Sequence, residues 1–171
     1  MCRWCRGTGW RSVVPGGDIA TGQDPETGKE WWRIGGFNPT DCEMNRTIVS
    51  AAVVSGQVVV EANRGRPYIS FRAGGVGDVT GKREFRTNNL GPGAPTSASD
   101  GMYLYVLREN GTMNCPELKT GKVMPENQRI EPGTNSPSPL VADGKIFRID
   151  AEGTVTVTKG GRCLRRRGEP V

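Results

Sequence analysis

Five cysteines, no histidine and eighteen carboxylates bound the chemistry open to this 171-residue chain. Cys2-x-x-Cys5 has the spacing of a metal knuckle, but no second pair follows it. A zinc site would need Cys42, Cys115 or Cys163 to arrive from a distance, with no imidazole to complete the set. A redox pair wants a helix after the second cysteine, and "GTGWRSVVPGG" does not offer one. All five thiols are therefore read as free. The missing histidine also removes the commonest general base and any Ser-His-Asp arrangement. The carboxylate pairs Asp24/Glu26 and Asp41/Glu43 lie in turn-rich segments where solvation keeps them ordinary. No catalytic residue and no metal ligand is assigned.

Two glycine-rich stretches imitate phosphate loops. "GGDIATGQ" (16–23) has Gln23 where the P-loop lysine belongs, and no helix follows. "RAGGVGDVTGK" (72–82) lacks the dinucleotide-binding spacing. Both read as turns. Arg64, Arg66 and Arg72 near Tyr68 and Phe71 suggest stacking on single-stranded nucleic acid. Yet Tyr68 and Phe71 are three apart, so on a strand they face opposite sides. The net charge of +5 is unevenly placed: residues 1–17 carry +3 and residues 158–171 carry +4, which leaves the body at −2. An acidic body with basic ends is not a phosphate-binding face, so no nucleic-acid partner is expected.

Composition then points to the fold. Glycine supplies 25 residues and proline 12, with no collagen period. Such usage suits many turns between short strands. The most apolar run, "IVSAAVVSGQVVV" (48–60), is broken by Ser, Gly and Gln and cannot span a membrane as a helix. The N-terminal stretch has charge but no apolar core, so it does not read as a signal peptide.

Repetition organises the chain. Residues 51–75, 96–122 and 139–161 each run from a small or apolar lead-in through Gly, strand, Gly, strand. The first glycines are Gly56, Gly101 and Gly144, at spacings of 45 and 43; the second are Gly65, Gly111 and Gly153. "MYLYVLR" and "KIFRID" are strand-like and too short for helices, and "ENGT" and "AEGT" are hairpin turns. "TVTVT" (154–158) alternates as a half-buried strand should. A second marker recurs in "DPETGKEWWR" (24–33), "DVTGKREFR" (78–86) and "LKTGKVMPE" (118–126), with glycines Gly28, Gly81 and Gly121. Their spacings of 53 and 40 imply an insertion or a partly coincidental middle match. Periods of 40–50 residues with about four short strands are the mark of a β-propeller.

These motifs, with "SPSPLVADGKIF" (136–147) and "AEGTVTV" (151–157), resemble repeats of the pyrroloquinoline-quinone-like β-propellers over roughly residues 18–160. The resemblance implies an all-β chain of about three four-stranded blades of an incomplete propeller. It leaves residues 1–17 as an atypical, disordered or artefactual N-terminus and 161–171 as a basic tail. It also implies that the aromatic after each Thr-Gly-Lys turn docks between blades, a role falling on Trp32 and Phe85, with a departure at Pro125. Trp31, on the opposite side of its strand, is left as an exposed aromatic for binding. Known propellers close with 4–8 blades, so the remaining blades, self-association or a protein partner are expected to complete this one. The resemblance implies an extracytoplasmic or periplasmic setting and a non-catalytic interaction or scaffold module. An alternative is a fragment of a quinoprotein dehydrogenase whose pyrroloquinoline quinone and calcium lie outside this chain; another is a carbohydrate- or polymer-binding propeller. No cofactor is expected here, because the vicinal Cys-Cys pair of the dehydrogenases is absent and "DAEG" (150–153) is not a calcium loop.

Overall fold

The computed structural model describes residues 2–6, 9–38, 41, 43, 47–61, 68–87, 93–123, 128–129, 136–161 and 165–166, the backbone alone at 2–6, 9–11, 83–87, 128–129 and 165–166. Two compact units, Met1–Gly91 and Pro92–Val171, divide the chain. Every regular element of more than three residues is a strand.

The first unit holds two sheets. β1 (Cys2–Arg6), β2 (Gly9–Pro15), β3 (Ile19–Gln23) and β4 (Glu30–Gly35) form an antiparallel meander. β5 (Ala52–Val54), β6 (Gln57–Glu61) and β7 (Tyr68–Arg72) form the next, and the chain then makes a detour before completing it. β8 (Gly77–Asp78) leaves this sheet and pairs in parallel with β4 of the first, through Trp32↔Gly77 and Arg33↔Asp78. A single 3-10 turn, Thr80–Lys82, follows; β9 (Arg83–Thr87) then returns to β7. The strap is held by Val79 N–H on the Arg33 carbonyl at 2.8 Å and by Gly35 N–H on Thr80 Oγ1 at 2.9 Å.

The second unit repeats the plan twice. β10 (Ala98–Ser99), β11 (Leu104–Leu107), β12 (Thr112–Asn114) and β13 (Gln128–Arg129) make one sheet. β14 (Leu140–Ala142), β15 (Lys145–Ile149), β16 (Val155–Lys159) and β17 (Arg165–Arg166) make the other.

The all-β expectation holds, and the three sequence repeats fall on the second, third and fourth sheets. The structure differs at the ends. Residues 1–17, set apart by composition, supply β1 and β2, with β2 paired to β3 from Ser12↔Gln23 to Pro15↔Ala20. Within the basic tail, Arg165 and Arg166 pair with Lys159 and Thr158 as a fourth strand. The described residues thus form the three expected four-stranded sheets and one more, of five strands, at the N-terminal end. Arginine-rich strands hide from composition because strand pairing is a backbone matter, indifferent to side-chain charge.

Turn chemistry sets the register. Ser55-Gly56 and Asp143-Gly144 each place two successive residues at positive φ, between the paired ends Val54↔Gln57 and Ala142↔Lys145. That is the two-residue turn whose twist matches a hairpin, and glycine relieves the second position. At Arg108–Thr112 and Asp150–Thr154 the same longer loop recurs, with the Gly111 and Gly153 amides bonded back to the carbonyls of Arg108 and Asp150.

The core of the first unit lies between its two sheets. Val13, Ala20, Trp32 and Ile34 pack against Val58, Val60, Ile69 and Phe71. The Trp32 and Phe71 rings meet edge to face, with centroids 5.2 Å apart and planes at 79°. The indole lies so close over β3 that a Cβ on Gly22 would sit 2.0 Å from Trp32 Cε2. Only a residue with no side chain admits the ring there. In the second unit, Ile146 packs with Tyr105, Leu107, Met113 and Cys115.

Gly22→Ala is expected to lower unfolding stability by about 1–3 kcal/mol, the usual overpacking cost, since Gly22 has no left-handed φ to confound the result. Urea unfolding followed by tryptophan fluorescence measures it. An unchanged midpoint would mean that the Trp32 contact does not hold the two sheets together.

Candidate functional site

The Thr-Gly-Lys marker resolves into one loop built twice and one look-alike. In the first, Asp24 N–H donates to the Lys29 carbonyl at 2.9 Å and Gly28 N–H to the Asp24 carbonyl at 2.9 Å. In the second, Glu117 N–H donates to the Lys122 carbonyl at 2.9 Å and Gly121 N–H to the Glu117 carbonyl at 2.8 Å. Thr27 and Thr120 each accept the amide two residues on, at 3.3 and 3.2 Å. Gly28 and Gly121 have φ of 72° and 70°. Gly81 lies in the 3-10 turn of the strap without a positive φ. Its Thr80 and Lys82 belong to a different structure with the same letters.

The aromatics after the first loop take opposite fates. Trp32 is buried at the contact between the two sheets, with no hydrogen bond to Nε1. Trp31 is half-buried, packed against the same core, with the Lys29 ammonium 5.6 Å from its ring centre. An exposed stacking platform would present a bare ring; this one carries a cation and rests on the core. The Phe85 backbone lies in β9, but its side chain falls outside the described residues, as do Gly65, Pro125, Cys42 and Cys163 altogether. Gly101 holds a positive φ in the bend after Asp100.

A part-buried polar contact in the second unit was missed by reading the sequence. The Tyr105 hydroxyl donates to Asp100 Oδ2 at 2.6 Å and accepts Gly161 N–H at 2.7 Å. It thereby ties the start of the third sheet to the end of β16. Gly160, whose added Cβ would meet this hydroxyl at 3.0 Å, keeps the approach open. Asp100 Oδ1 accepts the amides of Met102 and Tyr103 at 2.9 and 2.8 Å. Burial pushes the Asp100 carboxyl up, but these amides and the phenol outweigh it, and its pKa lies below the ordinary value. Burial, then the bond to Asp100, push the Tyr105 phenol up. A phenol held protonated against a carboxylate is a poor acid–base catalyst and a good clamp. The signal was present as "SDGMYLY", where an Asp precedes a turn by the spacing of an Asx cap.

The other turn carboxylates follow suit. Asp24 Oδ1 accepts the amides of Glu26 and Thr27; Asp150 Oδ1 accepts those of Glu152 and Thr154. Among the described residues no group of three or more His, Cys, Asp or Glu side chains is placed to hold a metal ion. Cys115 is buried in the second core in no disulfide, and its neighbours in sequence are Asn114 and Pro116. The donor set that a quinone and calcium require is not assembled by these residues. No helix among them is long and apolar enough to cross a membrane.

No family model and no curated protein matches the chain in sequence. Solved structures match it in fold. BamB from Moraxella catarrhalis superposes with a TM-score of 0.62 at 14% identity, covering 88% of this chain and 42% of that one. The computationally designed Ika4 protein gives 0.69 at 14% identity, covering 93% of this chain and 89% of its own. The C-terminal WD40 domain of Sif2 gives 0.58 at 12% identity, covering 88% and 42%. The chain thus spans less than half the length of BamB and of the Sif2 domain. WD40 domains are propellers of four-stranded blades, so the four sheets seen here are those of a partial β-propeller.

Two outcomes test the site chemistry. Gly28→Ala and Gly121→Ala should each cost about 1 kcal/mol in thermal or urea unfolding, because both loops need a left-handed residue, while Gly81→Ala should change stability by less than about 0.5 kcal/mol. Asp100 has a depressed folded pKa, so its stabilisation is present above its unfolded value near ~3.9 and is lost as pH falls through the folded one. Tyr105→Phe should therefore shift the acid-unfolding midpoint upward, as read by circular dichroism. An unmoved midpoint would remove Asp100–Tyr105 as an acid-sensitive clamp.

Proposed function

We propose that this chain is a non-catalytic β-propeller segment that serves as a protein-interaction or scaffold module. One observation carries the reading: several chemically capable side chains of the described residues are spent on the fold. The carboxylates Asp24, Asp100 and Asp150 cap their own turns, and Trp32 and Tyr105 clamp sheet to sheet. What remains for function is surface. The propeller likeness supports the module reading, because propellers are scaffolds whose faces carry varied sites. The Thr-Gly-Lys loops and repeat motifs support the finer proposal, that these are repeats of the pyrroloquinoline-quinone-like class and belong to a protein of an extracytoplasmic compartment. No resident cofactor is needed for this role.

The test is direct. The purified chain is mixed with pyrroloquinoline quinone and calcium, and bound-quinone absorbance is measured after gel filtration. No stoichiometric uptake is expected. Stoichiometric quinone binding would overturn the reading in favour of a dehydrogenase fragment.

A further inference from the structure

We propose that Asn110 is the acceptor of an N-linked oligosaccharide. This goes beyond the interaction-module reading and rests only on the extracytoplasmic setting proposed with it, because such glycans are added to proteins that leave the cytoplasm. Two triplets carry the N-x-Thr pattern with x other than proline: Asn45-Arg46-Thr47 and Asn110-Gly111-Thr112. The pattern alone is a weak signal, and the fold separates the two. Asn110 is exposed at the tip of the loop joining β11 to β12. Gly111, at a φ of 78°, turns the chain there so that Thr112 comes back to Asn110. Asn110 Oδ1 accepts the Thr112 amide at 3.1 Å and the Thr112 hydroxyl at 2.7 Å. A backbone N–H can only donate, so the carboxamide oxygen is fixed on Thr112 and Nδ2 is the other, unengaged edge, with no hydrogen bond among the described residues. In the other triplet Asn45 lies outside the described residues, and the Thr47 hydroxyl is buried with no hydrogen-bond partner among them.

The co-substrate is an oligosaccharide carried on a polyprenyl diphosphate. In the transfer, the bond from the first sugar's anomeric carbon to the diphosphate oxygen breaks, and the diphosphate leaves with the electron pair. A bond from Asn110 Nδ2 to that carbon forms, and one Nδ2 proton is released to solvent. The nucleophile must therefore be the accessible edge of the carboxamide, and the Thr112 hydroxyl holds it so. The fold does not need an asparagine for this loop. Asp150–Thr154 closes the same way, with Asp150 Oδ1 accepting the Thr154 amide at 2.7 Å and Glu152 standing where Asn110 stands. The two loops solve one capping problem differently, and of the two it is the Asn110 loop that carries a carboxamide nitrogen at its tip. That tip lies beyond the last pair of the hairpin, Leu107↔Met113, so a glycan there extends from the end of the sheet and enters neither face.

The purified, folded chain is incubated with a polyprenyl diphosphate-linked oligosaccharide and a single-subunit oligosaccharyltransferase that requires only N-x-Thr. Intact mass and glycopeptide mass spectrometry read the product. The expected result is a gain of one oligosaccharide mass, on Asn110 and not on Asn45. Asn110→Gln and Thr112→Val should each abolish the gain, and Thr112→Ser should keep it. Thr154→Val, in the matching loop, should leave it unchanged. Circular dichroism checks that each variant is folded; should one misfold, the glycopeptide map of the unaltered chain still decides between Asn110 and Asn45. No gain, a gain that survives Asn110→Gln or Thr112→Val, or a glycan on Asn45 in place of Asn110 would each overturn the proposal. The reaction uses the purified chain and is blind to compartment, so its failure sinks the acceptor alone. Recovery of the chain from the cytosolic fraction of its source cells would sink the extracytoplasmic reading alone.

Discussion

A four-stranded antiparallel sheet has two faces, and this chain is built around the need to cover both. Each unit meets that need by laying one sheet on the next with large side chains at the contact. In the first unit the contact is Trp32 on Phe71, and it exists only because Gly22 withholds a side chain from the space the indole fills. In the second it is an apolar patch around Ile146, reinforced by the Tyr105 hydroxyl bridging Asp100 and Gly161. Turns, caps and strap then serve these contacts. The two Thr-Gly-Lys loops fix where β4 begins and where the chain turns between β12 and β13 of the third sheet, and the strap through Thr80 secures the outer edge of β4 by Gly35.

The strap illustrates how local letters mislead. "DVTGK" shares three residues in a row with the two true loops, yet it forms a parallel pairing and a 3-10 turn. The difference lies in what precedes it. Asp24 and Glu117 each open a loop whose ends bond to each other, whereas Asp78 is already paired with Arg33 of another sheet. A tertiary partner has overruled a local propensity. The irregular spacing of 53 and 40 was the sequence-level trace of that difference.

Most of the fold was legible because β-hairpins announce themselves through turn residues and alternation, both local properties. Gly56, Gly111, Gly144 and Gly153 all stand at turns of the expected kind. Residues 2–6, 9–15 and 165–166 were not legible, because arginines and cysteines carry no strand signature and their pairing is made by partners in β2, β3 and β16. Trp31 was half legible. Alternation separates it from Trp32, but whether the opposite side meets solvent, a cation or a core depends on neighbours that no pattern names. The same limit governs "TVTVT". Period two tells which residues share a face, and only the packed structure tells which face is covered. Here the apolar one is open.

That inversion bears on how such a sheet can be tolerated at all. Threonine is β-branched like valine and fills a strand face almost as well, at the cost of a hydroxyl that must find a partner. Thr156 Oγ1 accepts a hydrogen bond from the buried Arg148 guanidinium, Nη2 to Oγ1, at 3.4 Å. Along this strand Thr158 is buried and Val155 exposed, with Thr156 and Val157 half-buried between them. A sheet covered on both faces would be expected to bury Val155 in preference to Thr158.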